Sequence, residues 1–464
     1  MPAVSAAGAG AASATLTASP AIAALDRALD VNPLDVALHR QMVDALRAAN
    51  DEIGLLAFRV AVETFDDIAA GADCSLAIPL YNLATVLYLR GRPADAVRWY
   101  RYALGVEPDL AIVHQNLAAA LDGLGHLDEA QVHRTRAYTL QRVFVEPADS
   151  APRRVLILCT GRAVGNTPFD MLLPMGRSYR IKYAIDCADE AEDHCLPPFD
   201  IVFNAIGEPD VAQPLTSRLE RFAAHCGRAV LNQPERIART RRHQLPELLA
   251  GLDDVVTAPC LLLTQRPDSV EAFDASLAAA GLTLPLLSRP LASHGGDGLT
   301  LHTTRASLWD TVQTLDGHCY LTAFIDFRSA DQHYRKYRTV FVDRVPYPYH
   351  LAISPHWIVH YVSAGMEVAW KIDEEQRFLE DTAAALGERA ARALAAIGTR
   401  LDLDYGGIDY TLLPDGRVLV FEANATMLIH GEPSDSPIAH KNAFVQRIVD
   451  AFDQLQAARM ATPG

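Results

Sequence analysis

The spacing of apolar residues changes about one third of the way along the chain. Up to about residue 145 the pattern is helical, and from residue 154 short apolar runs replace it, at 154–159, 199–204 and 227–232. Such runs, separated by helical stretches, predict the buried strands of an open α/β layer of about 80 residues. Ligands of such sheets bind beyond the carboxyl ends of the strands. Residues 160–166 and 204–210 are therefore candidate rims of a site, although ordinary turn chemistry explains them as well.

Segments of the helical part return after 34 residues. Asn82 and Gly91 return as Asn116 and Gly125, and alanines return with the same spacing. A period of 34 with small residues at fixed places resembles the tetratricopeptide repeat, a pair of antiparallel helices with a glycine at the turn between them. The resemblance implies an all-α tetratricopeptide repeat array over 26–145.

A weaker copy of the repeat spans about 38–64. Phe58 takes the place of Trp99, and the copies align only with about seven inserted residues between them. Such arrays bury their apolar faces by stacking, so about three units are needed. The resemblance implies that the array binds a peptide or protein, or joins two copies of the chain in a homodimer. Asn82 and Asn116 face the inner groove in the family, where they either contact a peptide or are simply common.

Composition narrows the classes of protein. The chain has 464 residues, of which 50% are hydrophobic and 21% charged, which is globular composition for two to four domains. Lys and Arg number 41 against 57 Asp and Glu, for a net charge of −16. Nucleic acid is therefore not an expected partner, because phosphate backbones favour clustered basic charge. A small anionic ligand in a local basic pocket remains compatible with this balance.

Cysteine usage and the chain's first segment bear on location. The seven cysteines form no CxxC pair, which argues against a disulfide framework or a zinc module and favours a reducing compartment. Residues 1–25 are rich in Ala, Ser and Gly without a basic start, and we interpret them as a flexible tail rather than a signal peptide. No apolar run of about 18 residues exists, so no membrane association is expected. The expected location is the cytoplasm.

A hairpin near the carboxyl end carries candidate metal ligands. Asp415 and Gly416 form a turn between two apolar strands, which brings Asp409 beside Glu422 and Asn424. Glu422 and Asn424 are two residues apart and point to one face of the sheet. Two carboxylates and one amide oxygen predict a Mg²⁺ site, of the kind shared with substrate phosphates. The alternative is an exposed hairpin with solvated acids, but charge within an apolar strand is costly.

A strand with a cation and a glycine-rich loop lies upstream, over 284–298. Arg289 belongs to the strand, and glycines in the loop let backbone N–H groups approach phosphate oxygens. An ordinary hairpin has the same composition. The phosphate-binding interpretation of this loop is therefore favoured mainly by its position upstream of the acidic hairpin. The candidate phosphate-binding residues of the loop are Ser293, His294, Gly295, Gly296 and Gly298.

Together these motifs, over about 154–456, resemble the ATP-grasp superfamily, which includes D-alanine–D-alanine ligase and glutathione synthetase. The resemblance implies that the acidic hairpin holds two Mg²⁺ ions on the phosphates of ATP and that the glycine loop closes over them. The family usually has two phosphate-binding lysines, and Arg242 and Arg289 stand at their places. Arginine keeps the charge and adds a planar fork, so phosphate contact is retained.

Two further segments match the family. The segment 320–325 resembles the hinge strand whose backbone reads adenine, which implies contacts from Ala323 and Phe324. The acid often found there is replaced by Thr322, so Asp326 or Asp331 is the candidate for the ribose. In 334–343, Lys336 is a candidate phosphate contact and Arg338 matches the arginine that contacts the γ-phosphate and the acyl phosphate, unless the segment is an exposed basic edge. Arg338 and Arg289 are thus the candidate catalytic residues.

Histidines and aromatic residues follow, at 347–350, His356 and His360. Their spacing matches no dedicated metal motif, and we expect them to pack or to line a substrate. The resulting organisation has six parts: a tail (1–25), the repeat domain (26–145), a linker (146–152), an α/β pre-ATP-grasp domain (153–235), an α+β ATP-grasp domain of two lobes (236–456) and a second tail (457–464).

The function implied by the resemblance is that of an ATP-dependent carboxylate–amine ligase that forms an amide through an acyl phosphate. The repeats favour joining an amino acid to a peptide or protein, so a small amino-acid-like substrate is also expected. Two alternatives stay open. The chain is an interaction protein with a degenerate or regulatory nucleotide site, or it transfers phosphate to a small molecule.

Overall fold

The computed structural model describes residues 19–162, 164–174, 176–291, 293, 296–315 and 317–461. The chain folds into two compact units. Of the described residues, the first unit contains 19–146, 161–162 and 182–192, and the second contains the remainder. No helix in these ranges combines the length and the hydropathy needed to cross a bilayer.

The first unit is built from helices that pack in sequence order, each against the next. Their bounds are α1 Pro20–Val31, α2 Val36–Ala49, α3 Glu52–Ala69, α4 Ala77–Leu89, α5 Pro93–Val106, α6 Ala111–Gly123 and α7 Leu127–Leu140, and the strand β1 Val143–Glu146 follows them. Their apolar faces form one core around Trp99, which is 1% exposed. Phe58 packs edge-on against Trp99 with ring centroids 5.5 Å apart.

The 34-residue period of the sequence is also a structural period. Helices α6 and α7 begin 34 residues after α4 and α5, and Gly91 and Gly125 share the same left-handed φ of 81° at the turns between the paired helices. Helices α2 and α3 begin 41 residues before α4 and α5, which accommodates the seven additional residues. Part of that insertion lengthens α3, which has 18 residues where α5 has 14.

The predicted flexible tail over 1–25 is corrected at its end. Helix α1 begins at Pro20, and the side chain of Ser19 accepts a hydrogen bond from the backbone N–H of Ile22 as its N-cap. Leu29 is fully buried in the core. Packing of this helix therefore orders residues that composition alone assigned to the tail, while 1–18 lie outside the described residues. The predicted linker, 146–152, contains no helix.

The second unit begins with short parallel strands. Its elements are β2 Arg154–Cys159, the part of β3 Tyr179–Ala184 up to residue 181, β4 Ile201–Asn204, α8 Pro209–Ala212, α9 Thr216–His225, β5 Val230–Leu231, α10 Pro234–Ala238 and α11 Leu245–Leu248. Strand β4 lies between β2 and β5 and is parallel to both. The predicted α/β layer is thus present, with β4 buried along its length and β2 buried after its exposed first residue, Arg154, as their apolar runs require.

An antiparallel four-stranded sheet follows, in the order β7-β10-β8-β9. Strand β6 Val255–Thr257 comes first along the chain and belongs to the next sheet. The strands of the four-stranded sheet and the two helices that pack on it are β7 Cys260–Thr264, α12 Val270–Ala279, β8 Leu286–Pro290, β9 Thr300–His302, α13 Arg305–Thr314 and β10 His318–Ala323. The two helices cover one face, where Phe273 and Leu308 are fully buried. The other face bears Arg289 and Tyr320, directly opposite each other on β8 and β10.

A five-stranded sheet, ordered β12-β11-β13-β14-β6, completes the unit. Its remaining elements are β11 Tyr334–Val342, β12 Val345–Ser354, α14 Ala369–Glu380, α15 Thr382–Leu386, α16 Glu388–Leu401, β13 Tyr405–Leu412, β14 Val418–Asn424 and α17 Asn442–Ala461. The prediction of a helical region followed by α/β sheets is confirmed. The predicted tail over 457–464 is corrected, because α17 continues to Ala461 and Arg459 bonds Asp343 at 2.8 Å.

Candidate active site

A cavity in the second unit has the four-stranded sheet on one side and the five-stranded sheet on the other. Strands β8 and β10 contribute Arg289 and Tyr320, and strands β11, β13 and β14 contribute charged side chains from the opposite side. Its charged lining residues are Arg242, Arg289, Lys336, Arg338, Asp409 and Glu422. Most of the cations and acids predicted from the sequence therefore meet in one place.

Asp409 is held by two cations from the neighbouring strand. Arg338 lies directly opposite Asp409 across β11 and β13, and its guanidinium donates from Nε and Nη2 at 2.6 and 2.9 Å. Lys336, two residues earlier and therefore on the same face, places Nζ 3.3 Å from the second carboxylate oxygen. The Asp409 side chain is 3% exposed, so the sheet places a carboxylate in its interior with its charge compensated.

Glu422 is held in the same way from the other side. It is the partner of Asp409 across the hairpin of β13 and β14, and a β-bulge follows that pair. Arg242 approaches its Oε2 at 2.5 Å and Arg289 approaches the same oxygen at 3.3 Å. Two arginines from different segments thus converge on one carboxylate oxygen.

These contacts determine the charge of the acids. Burial acts to raise the pKa of Glu422, but the charges of Arg242 and Arg289 outweigh it and lower the pKa to about 2. Burial likewise opposes ionisation of Asp409, and Arg338 and Lys336 nevertheless lower its pKa below the usual range. Both carboxylates are anionic at neutral pH. The lining therefore holds four cations against two anions, an excess of positive charge in a partly buried space.

Asn424 does not join these carboxylates. It lies opposite Gly407, and its Oδ1 accepts hydrogen bonds from the backbone N–H of Thr426 at 2.6 Å and from the Thr426 hydroxyl. It is absent from the lining of the cavity in the described chain. The structure brings Asp409 and Glu422 together, as predicted for metal ligands, and assigns the Asn424 oxygen to the turn after β14.

The glycine-rich loop is described only in part. Ser293 tethers Arg289, which donates to its hydroxyl at 2.9 Å and to its carbonyl at 2.6 Å. Gly296 lines the cavity with φ 85°, and a Cβ on Gly298, with φ 66°, would lie 2.8 Å from Pro290. His294 and Gly295 lie outside the described residues. Ser293 thus positions a cation instead of facing the cavity as a direct phosphate contact.

The predicted hinge lines the cavity, but its amides are engaged. The N–H of Ala323 donates to the carbonyl of Pro259 at 3.0 Å, and that of Phe324 donates to Pro285 at 3.1 Å. Both residues line the cavity, with Thr322 beside them. Asp326 is exposed and accepts from the N–H of Arg328, outside the described lining. In this structure, therefore, these two N–H groups are not free to donate to adenine, and Asp326 is not placed in the cavity lining to contact ribose.

An apolar wall faces the charged lining, and sequence reasoning missed most of it. Trp357 packs edge-on against Phe324 with centroids 5.6 Å apart, and Phe327 packs against Phe421 at 4.9 Å. Other apolar residues of the wall are Leu245, Leu287, Ile325, Ile358, Val359 and Leu419. The aromatic residues beside the histidines of 347–360 were the available signal, but their segment had no match among the family motifs.

The predicted rim at 204–210 also contributes residues that support the lining of the cavity. Asp210 accepts the hydroxyl of Tyr320 at 2.8 Å, which fixes the ring in the cavity wall. Glu208 is buried and close enough to Arg242 and Arg289 to stabilise their charged forms. The loop after β4 therefore supports the cations, which agrees with its position at the carboxyl end of a parallel strand.

Of the histidines singled out in the sequence, His360 lines the cavity. Burial, and then the charges of Lys336 and Arg338, lower the pKa of its imidazole. Within the described ranges, no three His, Cys, Asp or Glu side chains are grouped to hold a metal ion by themselves. A metal here would need oxygens from a ligand besides the two carboxylates.

The chain is similar to solved structures of ATP-grasp ligases. A D-Ala:D-Ser ligase, VanG, from Enterococcus faecalis is 12% identical, with 66% of this chain and 99% of that chain covered and a TM-score of 0.41. A RimK domain ATP-grasp protein from Sphaerobacter thermophilus is 16% identical, with 66% and 100% covered and a TM-score of 0.38. A D-alanine–D-alanine ligase from Bacillus anthracis, complexed with ATP, is 15% identical, with 66% and 98% covered and a TM-score of 0.39.

No protein-family model matches the sequence, and no curated protein matches it either. At such low identities and TM-scores, the chemistry of this chain has to be inferred from its own residues.

Proposed function

We propose that the chain is an ATP-dependent carboxylate–amine ligase of the ATP-grasp type. The observation that carries the proposal is the convergence of four cations on one buried and one half-buried carboxylate beside an apolar slot. Positive charge in excess, next to a wall of aromatic and aliphatic side chains, fits a ligand with a flat ring and a polyphosphate. A nucleoside triphosphate has both parts.

The phosphates of ATP would replace the carboxylates as partners of the cations. Arg242 and Arg289 now share one oxygen of Glu422, and phosphate oxygens offer both guanidinium forks better geometry. Arg338 and Lys336 would likewise turn toward the transferred phosphate. Phosphoryl transfer depends mainly on positioning and on neutralising charge, which these four side chains supply.

The carboxylates released by this exchange fit Mg²⁺. Asp409 and Glu422 lie opposite each other on adjacent strands and present oxygen only, and Mg²⁺ commonly binds to one or two carboxylates together with substrate phosphates. The ion would supply charge neutralisation at the transferred phosphate. Asn424 remains a third candidate ligand only if the turn at Thr426 releases its amide oxygen.

The reaction we propose joins a substrate carboxylate to an amine. The carboxylate attacks the γ-phosphate, the bond to the β-phosphate oxygen breaks and ADP leaves. The acyl phosphate formed is then attacked by the amine with release of phosphate. Arg338 is suited to bridging both steps, because it lies between Asp409 and the outer strand β12. We further propose that the helical unit is a tetratricopeptide repeat array that binds the peptide or protein substrate; its 34-residue structural period supports this.

The surface of that array shapes the peptide part of the proposal. Asn82 donates to the Thr64 hydroxyl at 3.1 Å, and Asn116 donates to the Tyr81 hydroxyl at 3.1 Å. Both amides are engaged within the array, which favours a structural role for them over direct peptide contact. A bound peptide would then rely on other side chains of the first helices.

The test is coupled release of ADP. Purified protein with Mg·ATP is incubated with each amino acid, alone and with a mixture of peptides, and ADP and amide products are measured. Hydroxylamine is added in a parallel series, because it traps acyl phosphates as hydroxamates without an amine substrate. We expect ADP and hydroxamate with a carboxylate present. ADP release that depends on neither carboxylate nor amine would contradict the ligase.

Two observations favour a second candidate, an interaction protein with a degenerate or regulatory nucleotide site. The amides of Ala323 and Phe324 are engaged, and both acids are already neutralised by cations. Calorimetry with Mg·ATP distinguishes the two functions. Tight binding without turnover, in every carboxylate and amine combination, would favour the regulatory site.

A further inference from the structure

A row of four polar side chains crosses the five-stranded sheet. Glu422 lies opposite Asp409, Asp409 opposite Arg338, and Arg338 opposite His350 on the outer strand β12. Residues paired in this way point to the same face of a sheet. The proposed metal and phosphate ligands occupy three positions of the row, and His350 occupies the fourth.

His350 is buried with an unsatisfied polar atom. The residue is 5% exposed, and its Nδ1 has no hydrogen-bond partner in the part of the chain that the structure describes. Its ring packs edge-on against Tyr349 and Tyr361, with centroids 5.0 and 4.6 Å away. A buried ring nitrogen without a partner is unfavourable, and such a group is commonly kept where a ligand completes it.

The surroundings of His350 are cationic. Lys336 and Arg338 face it from β11, and Lys441 and His430 face it from the segments after β14. Lys441 also bonds Glu432 at 3.0 Å and lies 4.0 Å from the centre of the Tyr361 ring. Burial, and then these charges, lower the pKa of His350 well below its ordinary value, so its imidazole is neutral. In the tautomer protonated at Nε2, the lone pair of the ring lies on the unpartnered Nδ1.

The identity of these cations explains how His350 could become basic. Lys336 and Arg338 are the side chains that we assign to the transferred phosphate. A bound acyl phosphate compensates their charge and so removes the contribution of these two side chains to the lowered pKa, while the larger contributions of burial and Lys441 stay. His350 would thus gain proton affinity when the electrophile is in place, next to the residue that holds it.

We propose that the amine substrate binds against His350 and that His350 Nδ1 takes its proton. The proposal rests on the ligase function proposed above. The lone pair of the amine nitrogen attacks the acyl carbon, so that a C–N bond forms and the C–O bond to phosphate breaks. Phosphate leaves with the electron pair of that bond, and the proton of the attacking nitrogen passes to His350. His350 is thus a catalytic residue of the second half-reaction.

The test separates the two half-reactions in the full chain. His350→Asn keeps a polar atom near the Nδ1 position but cannot take a proton. We expect hydroxamate formation with hydroxylamine, a strong nucleophile that is largely unprotonated at neutral pH, to stay near the wild-type rate. Amide formation with the best amino-acid amine should fall by about 100-fold or more. His440→Asn is the matched control, another histidine near this cluster, 3.3 Å from Glu375, and should retain both reactions.

Equal loss of hydroxamate and amide in His350→Asn would overturn the role of His350, as would an unchanged rate of amide formation. A wild-type chain that forms no hydroxamate would overturn the ligase function itself, and the assignment with it. Should the variant not fold, a crystal structure of the wild-type chain with ADP, the amine and a phosphinate analogue decides. The amine nitrogen is expected within about 3.5 Å of His350 Nδ1, and a position elsewhere would refute the proposal.

Discussion

The two units of this protein use charge in opposite ways. In the helical unit, the exposed ion pair Arg101–Glu129 joins α5 to α7, and the exposed pair Arg136–Asp109 joins α7 to the loop before α6, one cation to one acid in each case. In the cavity of the second unit, cations outnumber acids, and the Asp409 side chain is 3% exposed. Exposed pairs contribute about 0–1 kcal/mol each.

A buried and unbalanced cluster is costly unless something else compensates it. The helical unit therefore derives its stability from its apolar core, with charges as a minor addition. The second unit maintains a cluster whose balance is restored by an anionic ligand. Four experiments test this difference between the units.

The largest effect is expected from the core of the helical unit. Trp99→Ala removes the ring that packs against Phe58 and Tyr102 and should lower the free energy of unfolding by about 3–5 kcal/mol. Denaturation followed by circular dichroism measures it. Leu127→Ala, at a side chain that is 65% exposed, is the control and should change stability by less than about 0.5 kcal/mol. A Trp99→Ala variant as stable as the control would contradict the single core.

The next effect concerns the metal site. Asp409→Asn keeps the size of the side chain but removes the negative charge of the carboxylate that we assign as a ligand of Mg²⁺. ADP release should slow by about 10²–10³-fold, which corresponds to ~2.7–4 kcal/mol in activation free energy. Asp415→Asn changes an exposed acid of the same hairpin whose carboxylate accepts from Arg417, outside the cavity lining, and should leave the rate unchanged. Equal rates of ADP release in the two variants would contradict the assignment of Asp409 as a metal ligand.

A smaller loss of activity is expected when an arginine becomes a lysine, which keeps the positive charge but lacks the planar guanidinium group. Arg338→Lys cannot donate two parallel bonds, and kcat should fall by about 10- to 100-fold, or ~1.4–2.7 kcal/mol. Arg335→Lys provides the control on the same strand, since Arg335 bonds Asp331 and Glu374 outside the cavity lining. We expect the control to keep its kcat. A comparable loss in both would point to strand stability instead of phosphate contact.

The last effect is a pH dependence of stability, expected to be of about the same size as the effect of Arg338→Lys. The pKa of Glu422 is about 2 in the folded chain against an ordinary value of 4.5, so the unfolded chain takes up the proton first as pH falls. The stabilisation by its ion pairs is thus present above pH 4.5 and is lost between pH 4.5 and about 2. On the order of 1–3 kcal/mol should disappear there in the wild type relative to Glu422→Gln. Parallel curves for the two proteins would show that the pairs contribute nothing.

Local features were predictable from the sequence because they depend on near neighbours. The helix pairs, the turns at Gly91 and Gly125 and the hairpin around Asp415 each involve contacts between residues close in the chain. The ends of the chain were predicted less well. Composition suggested tails, but α1 and α17 are ordered by apolar contacts with distant segments, as Leu29 and Leu455 show.

The candidate site shows the same difference between local features, which were predictable, and long-range contacts, which were not. The hairpin pattern predicted that Asp409 and Glu422 meet, and the resemblance to the ATP-grasp superfamily implied that Arg242, Arg289 and Arg338 belong to the same site. A charged site was thus foreseeable from the amino-acid sequence, because charged residues within apolar strands are unfavourable unless they meet partners. The identity of those partners depends on contacts that form only in the folded chain. Arg289 reaches Glu422 across 133 positions, and Asn424 turns to Thr426 because local hydrogen bonds satisfy its amide oxygen first.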